Sequence, residues 1–179
     1  MKLSLLSLSY RPQFDRGSMD MNVFLDECQR LGVDGADLHE AAFASVGTQD
    51  LFAVKRGCLD RGLDIPCVSI SNNFACPVEE LADDVADTKA WIERAALLGA
   101  PQVRVFSGRP TGEQDRAASW DRCADALREC AEFGAGHGCA VDWEAGKEGC
   151  AKAVRSAWIP SVEIFKASTQ IEGEGTALH

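Results

Sequence analysis

The sequence lacks a long apolar run, a cluster of basic residues and any pair of cysteines at C-x-x-C spacing. A membrane-spanning helix needs about 20 consecutive apolar residues, and no stretch of this chain approaches that length. Nucleic-acid backbones are bound by clustered Lys and Arg, whereas 28 acidic residues outnumber 18 basic ones here. We therefore expect a protein that binds neither a membrane nor nucleic acid.

Cysteine is abundant, but its placement argues against a disulfide scaffold. Six of the eight cysteines fall on apolar stripes of predicted helices or in predicted strands, namely Cys28, Cys58, Cys67, Cys123, Cys130 and Cys139. Buried, reduced thiols of this kind are typical of cytoplasmic proteins. The apolar start, residues 1–8, alternates with serine and lacks a small-residue cleavage site, so it predicts a strand rather than a signal peptide. We therefore expect a cytoplasmic protein.

Strand-like and helix-like segments alternate along the chain. The strand-like runs begin near Leu3, Ala36, Ile65, Gln102 and Cys139, and the helical stretches between them end at Gly32, Gly62, Gly99 and Gly134. This alternation predicts βαβ units and a parallel sheet, and therefore an α/β fold of the (β/α) TIM-barrel type. Because a closed barrel of eight units needs about 250 residues, a chain of 179 residues predicts an incomplete barrel of about five strand–helix units.

Local signals mark the expected helix starts. Asp20 is expected to begin the first long helix. Thr48 is expected to cap the second, because its side-chain oxygen can accept a hydrogen bond from a free backbone N–H. Pro77 is expected at the first position of the third helix, where a missing N–H costs nothing. The fourth helix should carry Trp120 and Leu127 on its apolar face.

The charge pattern changes near residue 145. Residues 1–144 contain 24 acidic and 14 basic side chains, whereas the remaining 35 residues contain four of each. We expect residues 1–144 to form the partial barrel. Residues 145–179 are expected to be a divergent segment with one helix, one short strand and a flexible end.

Polar residues recur at the carboxyl ends of the predicted strands, where α/β barrels place their active sites. Because side chains alternate along a strand, residues two apart share a face of the sheet. The polar strand ends contain Asp37 and His39 on the second strand, Asn72 and Asn73 after the third, Arg104 and Phe106 on the fourth, and Asp142 and Glu144 on the fifth. Together they favour a functional site at this end of the sheet.

Each of these residues also has a structural interpretation. The two asparagines form turns readily whatever the function. A buried Arg104 needs a partner such as Asp37 or Glu144. Asp142 and Glu144 could lie on an exposed edge if the barrel does not close. Asp37 and His39 could only cap their strand by bonding to neighbouring backbone.

The chemistry of the strand ends suits a metal-assisted proton transfer. Carboxylates beside His and Asn can begin a site for Mg²⁺ or Mn²⁺, which would polarise a hydroxy-carbonyl substrate while a carboxylate moves a proton on the adjacent carbon. Glu144 is the expected catalytic base or metal ligand, with Asp142 as a second metal carboxylate. The residues expected to bind sugar hydroxyls or an anionic group are His39, Asn72, Asn73 and Arg104.

Four segments together carry a resemblance to a known family. Residues 8–15 (LSYRPQFD), 32–39 (GVDGADLH), 71–74 (SNNF) and 98–106 (LGAPQVRVF) resemble the sugar phosphate isomerase/epimerase family, which belongs to the xylose-isomerase-like TIM barrels. The resemblance covers about residues 3–138. It implies a (β/α)₈ barrel and small-molecule substrates, either sugars or sugar phosphates. It also implies a divalent metal bound by a Glu on strand five and by Asp, His or Gln, and Glu from strands six to eight.

Glu144 stands where the resemblance places the strand-five metal Glu. The family usually continues with Asn-His, whereas Ala145 and Gly146 follow here, and no later stretch matches strands six to eight. We therefore expect a truncated or diverged chain. Three interpretations follow: a sugar isomerase or epimerase, an inactive half-barrel that associates as a homo-oligomer, or a sugar-binding module without turnover.

Overall fold

The computed structural model describes residues 2–110 and 116–144, with the backbone alone for Arg116 and Glu144. The strands are β1 (Ser4–Leu6), β2 (Gly35–His39), β3 (Val68–Ser69), β4 (Gln102–Phe106) and β5 (Ala140–Glu144). The helices are α1 (Arg11–Asp15), α2 (Met21–Leu31), α3 (Thr48–Asp60), α4 (Val78–Leu98) and α5 (Arg116–Gly136), with 3₁₀ turns at Ser7–Tyr10 and Glu40–Ala42. The helix and strand predicted within residues 145–179 lie outside the described residues, so that segment stays a prediction.

The strands form one parallel sheet in the order β1-β2-β3-β4-β5. Each strand therefore pairs with the next one along the chain, and the order never reverses. Because crossovers between parallel strands are right-handed, a sheet that winds in one direction carries its helices on one face. A doubly wound sheet would instead reverse its order and carry helices on both faces. The α/β, TIM-barrel type of fold is confirmed, with five strands in the described part of the chain.

The hydrophobic core lies between the sheet and the helices. Alternate side chains of a strand lie on opposite faces of the sheet. Every second residue of each strand therefore packs against apolar helix residues in this core. The core includes Leu38, Val68, Val103, Val105 and Val141 from the sheet and Phe24, Leu25, Ile92, Leu98 and Leu127 from the helices. The remaining strand residues lie on the opposite face of the sheet, away from the helices. We call this face the inner face.

Capping explains where the long helices begin. The first long helix was predicted to start at Asp20; α2 starts one residue later, and Asp20 caps it by accepting a hydrogen bond from the backbone N–H of Val23 at 2.9 Å. Thr48 was predicted as the cap of α3, but it is the first helical residue and Gly47 takes the capping position. Pro77 is likewise the residue before the first helical position of α4. Its extended backbone suits that place, since an N-cap residue is not helical.

The predicted stop at Gly134 is wrong, because α5 continues to Gly136. The chain turns instead at Gly138, whose φ of +65° favours glycine. Gly134 serves a packing purpose, since a Cβ built there would lie 2.5 Å from the carbonyl oxygen of Cys139. Because Gly134 has no side chain, the end of α5 can approach the start of β5. The sequence predicts a glycine where α5 ends, but it does not distinguish the packing role of Gly134 from the turn at Gly138.

Seven cysteines in the described residues have free thiols, and all seven are buried. The four predicted on apolar stripes of helices lie on helices, whereas Cys67 and Cys139, predicted in strands, each lie one residue before a strand. Burial raises the pKa of Cys58 and Cys67 to about 12. These thiols therefore stay protonated and pack as small apolar groups. None of the helices within residues 2–110 and 116–144 has the length and apolar character needed to span a membrane.

Candidate functional site at the strand ends

One row of side chains crosses the inner face near the carboxyl ends of the strands. His39 pairs in register with Ser69, Ser69 with Arg104, and Arg104 with Asp142. Residues opposite each other in a parallel ladder point to the same side of the sheet. We call these four residues the polar row. The register thus brings together three predicted site residues that lie on three different strands.

His39 is buried, and its ring orientation is fixed by two contacts. Its Nδ1 accepts a hydrogen bond from the backbone N–H of Ala41 at 3.2 Å, and its Nε2 lies 3.3 Å from Oγ of Ser71. Burial lowers the pKa of His39 against the opposing effect of Glu40, so the neutral ring dominates at neutral pH. Because Nδ1 accepts, Nε2 carries the proton and donates. His39 therefore offers a hydrogen-bond donor to an oxygen rather than a lone pair to a metal.

A buried serine in the 3₁₀ turn after β1 supports His39. Oγ of Ser7 accepts a hydrogen bond from the backbone N–H of His39 at 2.8 Å, and neither residue is more than 2% exposed. Neither Ser7 nor Ser69 was predicted as a site residue. The only signal in the sequence was a serine in a predicted apolar strand, which is weak evidence for a site.

Arg104 and Asp37 place opposite charges on the inner face. The Arg104 guanidinium lies over the Phe106 ring, 5.0 Å from its centroid, as expected for a cation–π contact between residues sharing a face. Burial raises the pKa of Asp37 to about 6, even though the positive charge of Arg104 lowers it. Oδ1 of Asp37 is buried and has no hydrogen-bond partner within the described residues. A carboxyl group in this state is a common feature of functional sites.

Asn72 binds the neighbouring strand through both ends of its side-chain amide. Its Nδ2 donates to the carbonyl oxygen of Phe106 at 2.6 Å, and its Oδ1 accepts from the Phe106 N–H at 2.7 Å. The amide therefore continues the ladder between β3 and β4 beyond the end of β3. The contacts observed for Asn72 are structural, and its predicted role in substrate binding stays a prediction.

Asn73 joins the same two loops one residue later. Its Oδ1 accepts a hydrogen bond from the Arg109 N–H at 2.8 Å, and its own N–H donates to Asp84 at 2.8 Å. Gly108 makes this approach possible, because a Cβ there would lie 1.8 Å from Oδ1 of Asn73 and the φ is +79°. The two asparagines thus fix the segment after β4 against the segment after β3. For Asn73, too, the predicted contact with substrate stays a prediction.

The two predicted metal carboxylates come from β5. Asp142 is partly buried in the polar row beside Arg104. Glu144 ends β5 opposite Phe106, and its side chain lies outside the description. The described side chains contain no group of three His, Cys, Asp or Glu placed to hold a metal ion. Carboxylate oxygens suit Mg²⁺ or Mn²⁺, but the described residues do not complete a site for either ion.

Comparisons with known proteins agree with this geometry. A sequence model of the family described as xylose isomerase-like TIM barrel matches residues 25–150. A search of curated protein sequences finds no match. D-psicose 3-epimerase from Clostridium cellulolyticum H10, solved with D-tagatose, has a TM-score of 0.74 at 15% identity, with 92% of this chain and 62% of that chain covered.

Two other solved structures share the fold. A xylose isomerase domain protein from Planctomyces limnophilus has a TM-score of 0.65 at 18% identity, covering 78% of this chain and 56% of that one. The 3-keto-D-glucoside 4-epimerase of E. coli has a TM-score of 0.66 at 14% identity, covering 81% and 62%. The chain therefore spans less than two thirds of the length of each of these three structures. Because the family model matches residues 25–150, which is most of this chain, and the sheet winds in one direction, this chain belongs to the xylose isomerase-like TIM barrel family.

Proposed function

We propose that this chain is an isomerase or epimerase that acts on a hydroxy-carbonyl sugar with the help of a divalent metal. The observation that carries the proposal is the polar row, which groups a hydrogen-bond donor, a hydroxyl, a guanidinium and a carboxylate on the inner face. This end of a barrel sheet is where enzymes with this architecture place their active sites. Two of the structures that share the fold are epimerases, which supports the reaction class.

Three residues of the site would have different roles in such a reaction. In the free chain Nε2 of His39 contacts Oγ of Ser71. With substrate bound, its proton would be donated instead to the carbonyl oxygen, which becomes negative as the neighbouring C–H bond breaks. Arg104 would hold a second substrate oxygen on the same row. Glu144 would accept the proton from that carbon, giving an enediolate, and return it to complete the isomerisation or epimerisation.

A divalent metal would polarise the substrate carbonyl when bound. Asp142 and Glu144 are the proposed protein ligands, and the described residues supply no third ligand beside them. Mn²⁺ and Mg²⁺ remain the proposed ions because the two proposed ligands are carboxylates.

The test compares metal response and turnover in two Glu variants of the full chain. Mn²⁺ should raise the melting temperature of the wild type, and Glu144→Ala should abolish that rise. Glu132→Ala is the matched control, because Glu132 is exposed on α5, outside the sheet. Conversion of D-fructose should depend on Mn²⁺ and be lost with EDTA. A chain that neither responds to Mn²⁺ nor converts any ketose or aldose, free or phosphorylated, would contradict the proposal.

An inactive half-barrel that forms a homo-oligomer is the second candidate. In the described part of the sheet, β1 and β5 are edge strands, each paired on one side only. Exposed sheet edges favour association with another chain. Light scattering that finds a metal-indifferent dimer without turnover would select this candidate. Sugar binding without turnover would select a binding module instead.

The free, buried thiols support a reducing compartment, and we propose the cytoplasm.

A further inference from the structure

The imidazole ring of His39 is covered in the free chain. His39 is only 2% exposed, and its Nε2 lies 3.3 Å from Oγ of Ser71. Because Nδ1 accepts from the Ala41 N–H, the ring proton is on Nε2 and the serine oxygen accepts it. Ser71 itself is exposed. Its side chain therefore lies between solvent and the ring atom that the proposed reaction uses.

Ser71 binds the end of β2, whereas its two neighbours bind β4. The Ile70 N–H donates to the carbonyl oxygen of Arg104 at 3.2 Å, and the side-chain amide of Asn72 bonds to the β4 backbone through both ends. The Ser71 N–H donates instead to Oε1 of Glu40 at 2.7 Å. The backbone of Ser71 is thus fixed between two strand ends.

The two contacts of Ser71 differ in strength. Its N–H bonds to a carboxylate of Glu40, and such charge-assisted bonds are about twice as strong as neutral ones. Its hydroxyl contacts the neutral His39 ring at the longer distance of 3.3 Å. The weaker contact depends on one side-chain rotation, which takes picoseconds to nanoseconds in exposed residues. The side chain can therefore leave His39 while the backbone stays in place.

A removable hydroxyl suits a buried hydrogen-bond donor. An N–H that is buried without an acceptor destabilises the fold, and the Ser71 oxygen supplies that acceptor in the free chain. A substrate oxygen can replace the serine oxygen without leaving the donor unpaired. The displaced hydroxyl then rotates into solvent, where water bonds to it.

We propose that the Ser71 side chain is a gate over His39 and that Glu40 holds the gate in its closed position. The proposal rests on the function above, because it concerns access to the His39 proton that this reaction uses. When the gate is closed, Oγ of Ser71 occupies the place of the substrate oxygen. The gate thus competes with the substrate and lowers its affinity by the factor that one neutral hydrogen bond supplies, about twofold to tenfold.

Exchange of the His39 Nε2 proton with water measures whether the gate covers the ring. Nitrogen-15 NMR follows this proton in the full chain with His137→Gln and His179→Gln, which leave His39 as the single histidine. Ser71→Ala in this background should speed the exchange about twofold to tenfold, because one protecting hydrogen bond is lost. Exchange no faster than in the background chain would overturn the proposal and leave the sugar function standing.

Two variants of Glu40 test what holds the gate. Glu40→Ala removes the acceptor of the Ser71 N–H and should speed the exchange toward the rate of Ser71→Ala. Glu40→Gln keeps an oxygen acceptor and should restore a rate close to the background. A background rate in Glu40→Ala would overturn the role of Glu40. Ser18→Ala is the matched control, because Ser18 is an exposed serine whose hydroxyl donates to the carbonyl oxygen of Gln13.

Affinity for D-fructose, with Mn²⁺ at neutral pH, distinguishes a gate from a residue that contacts the sugar. Ser71→Ala should bind D-fructose about twofold to tenfold more tightly, because the sugar no longer displaces the serine. Unchanged or weaker binding would overturn the gate. If the wild type binds no D-fructose, the sugar function fails for this probe, whereas faster exchange in both Ser71→Ala and Glu40→Ala still supports the gate.

Discussion

Replacing Asp37 with Asn should stabilise the protein, and more so at high pH. The inner face holds Asp37 with a pKa of about 6, against an ordinary value of 3.8, because burial penalises its charged form. A pKa raised on folding contributes stability at low pH that is lost as the pH rises through about 6. Above that pH the folded chain must bury a poorly compensated charge. Asn has nearly the same shape and no charge, so it avoids this penalty.

The magnitude follows from the size of the shift. About two pKa units correspond to at most about 3 kcal/mol, and about half of that develops between pH 5 and pH 8. Because the side chain keeps partial solvent contact, we expect the advantage of Asp37→Asn over wild type to grow by about 1 kcal/mol across this range. Urea unfolding followed by tryptophan fluorescence at both pH values measures it.

Asp60→Asn is the control for the loss of one negative charge, since Asp60 is exposed at the end of α3. An advantage of Asp37→Asn that is equal at pH 5 and pH 8 would refute the reasoning. A variant less stable than wild type at pH 8 would also refute it, because the carboxylate would then be stabilised in the fold.

Two further predictions concern the loops after β3 and β4. Asn72→Ala removes both amide bonds to the Phe106 backbone and should lower the free energy of unfolding by about 2 kcal/mol in urea titrations. Asn22→Ala at an exposed position on α2 should change it little, and equal effects would contradict the structural role of Asn72. Gly108→Ala should cost about 2 kcal/mol or more, because its Cβ would overlap Asn73 and its φ is positive. A thermal melt unchanged from wild type would show that this close approach does not occur.

Local patterns in the sequence were enough to predict the five strands and the four long helices of the described chain, but not the short helix α1. The alternation of strand and helix, the helix start near Asp20 and the shared face of Asp37 and His39 depend on residues a few positions apart. The exact ends of helices were predicted less reliably where two nearby residues could each take the same position. Thr48 and Gly47 both suit an N-cap, and Gly134 and Gly138 both suit a helix end. In each case the three-dimensional neighbours decided between them.

The sequence alone thus determined a parallel α/β sheet with polar groups at its carboxyl ends, because hydrophobic periodicity is a property of each segment by itself. Only the tertiary structure decided which of these groups meet. The row from His39 through Ser69 and Arg104 to Asp142 depends on the register between strands that lie about thirty residues or more apart in the chain. The use of Asn72 as a backbone clamp and the raised pKa of Asp37 likewise arise from distant neighbours and burial, which no local pattern specifies.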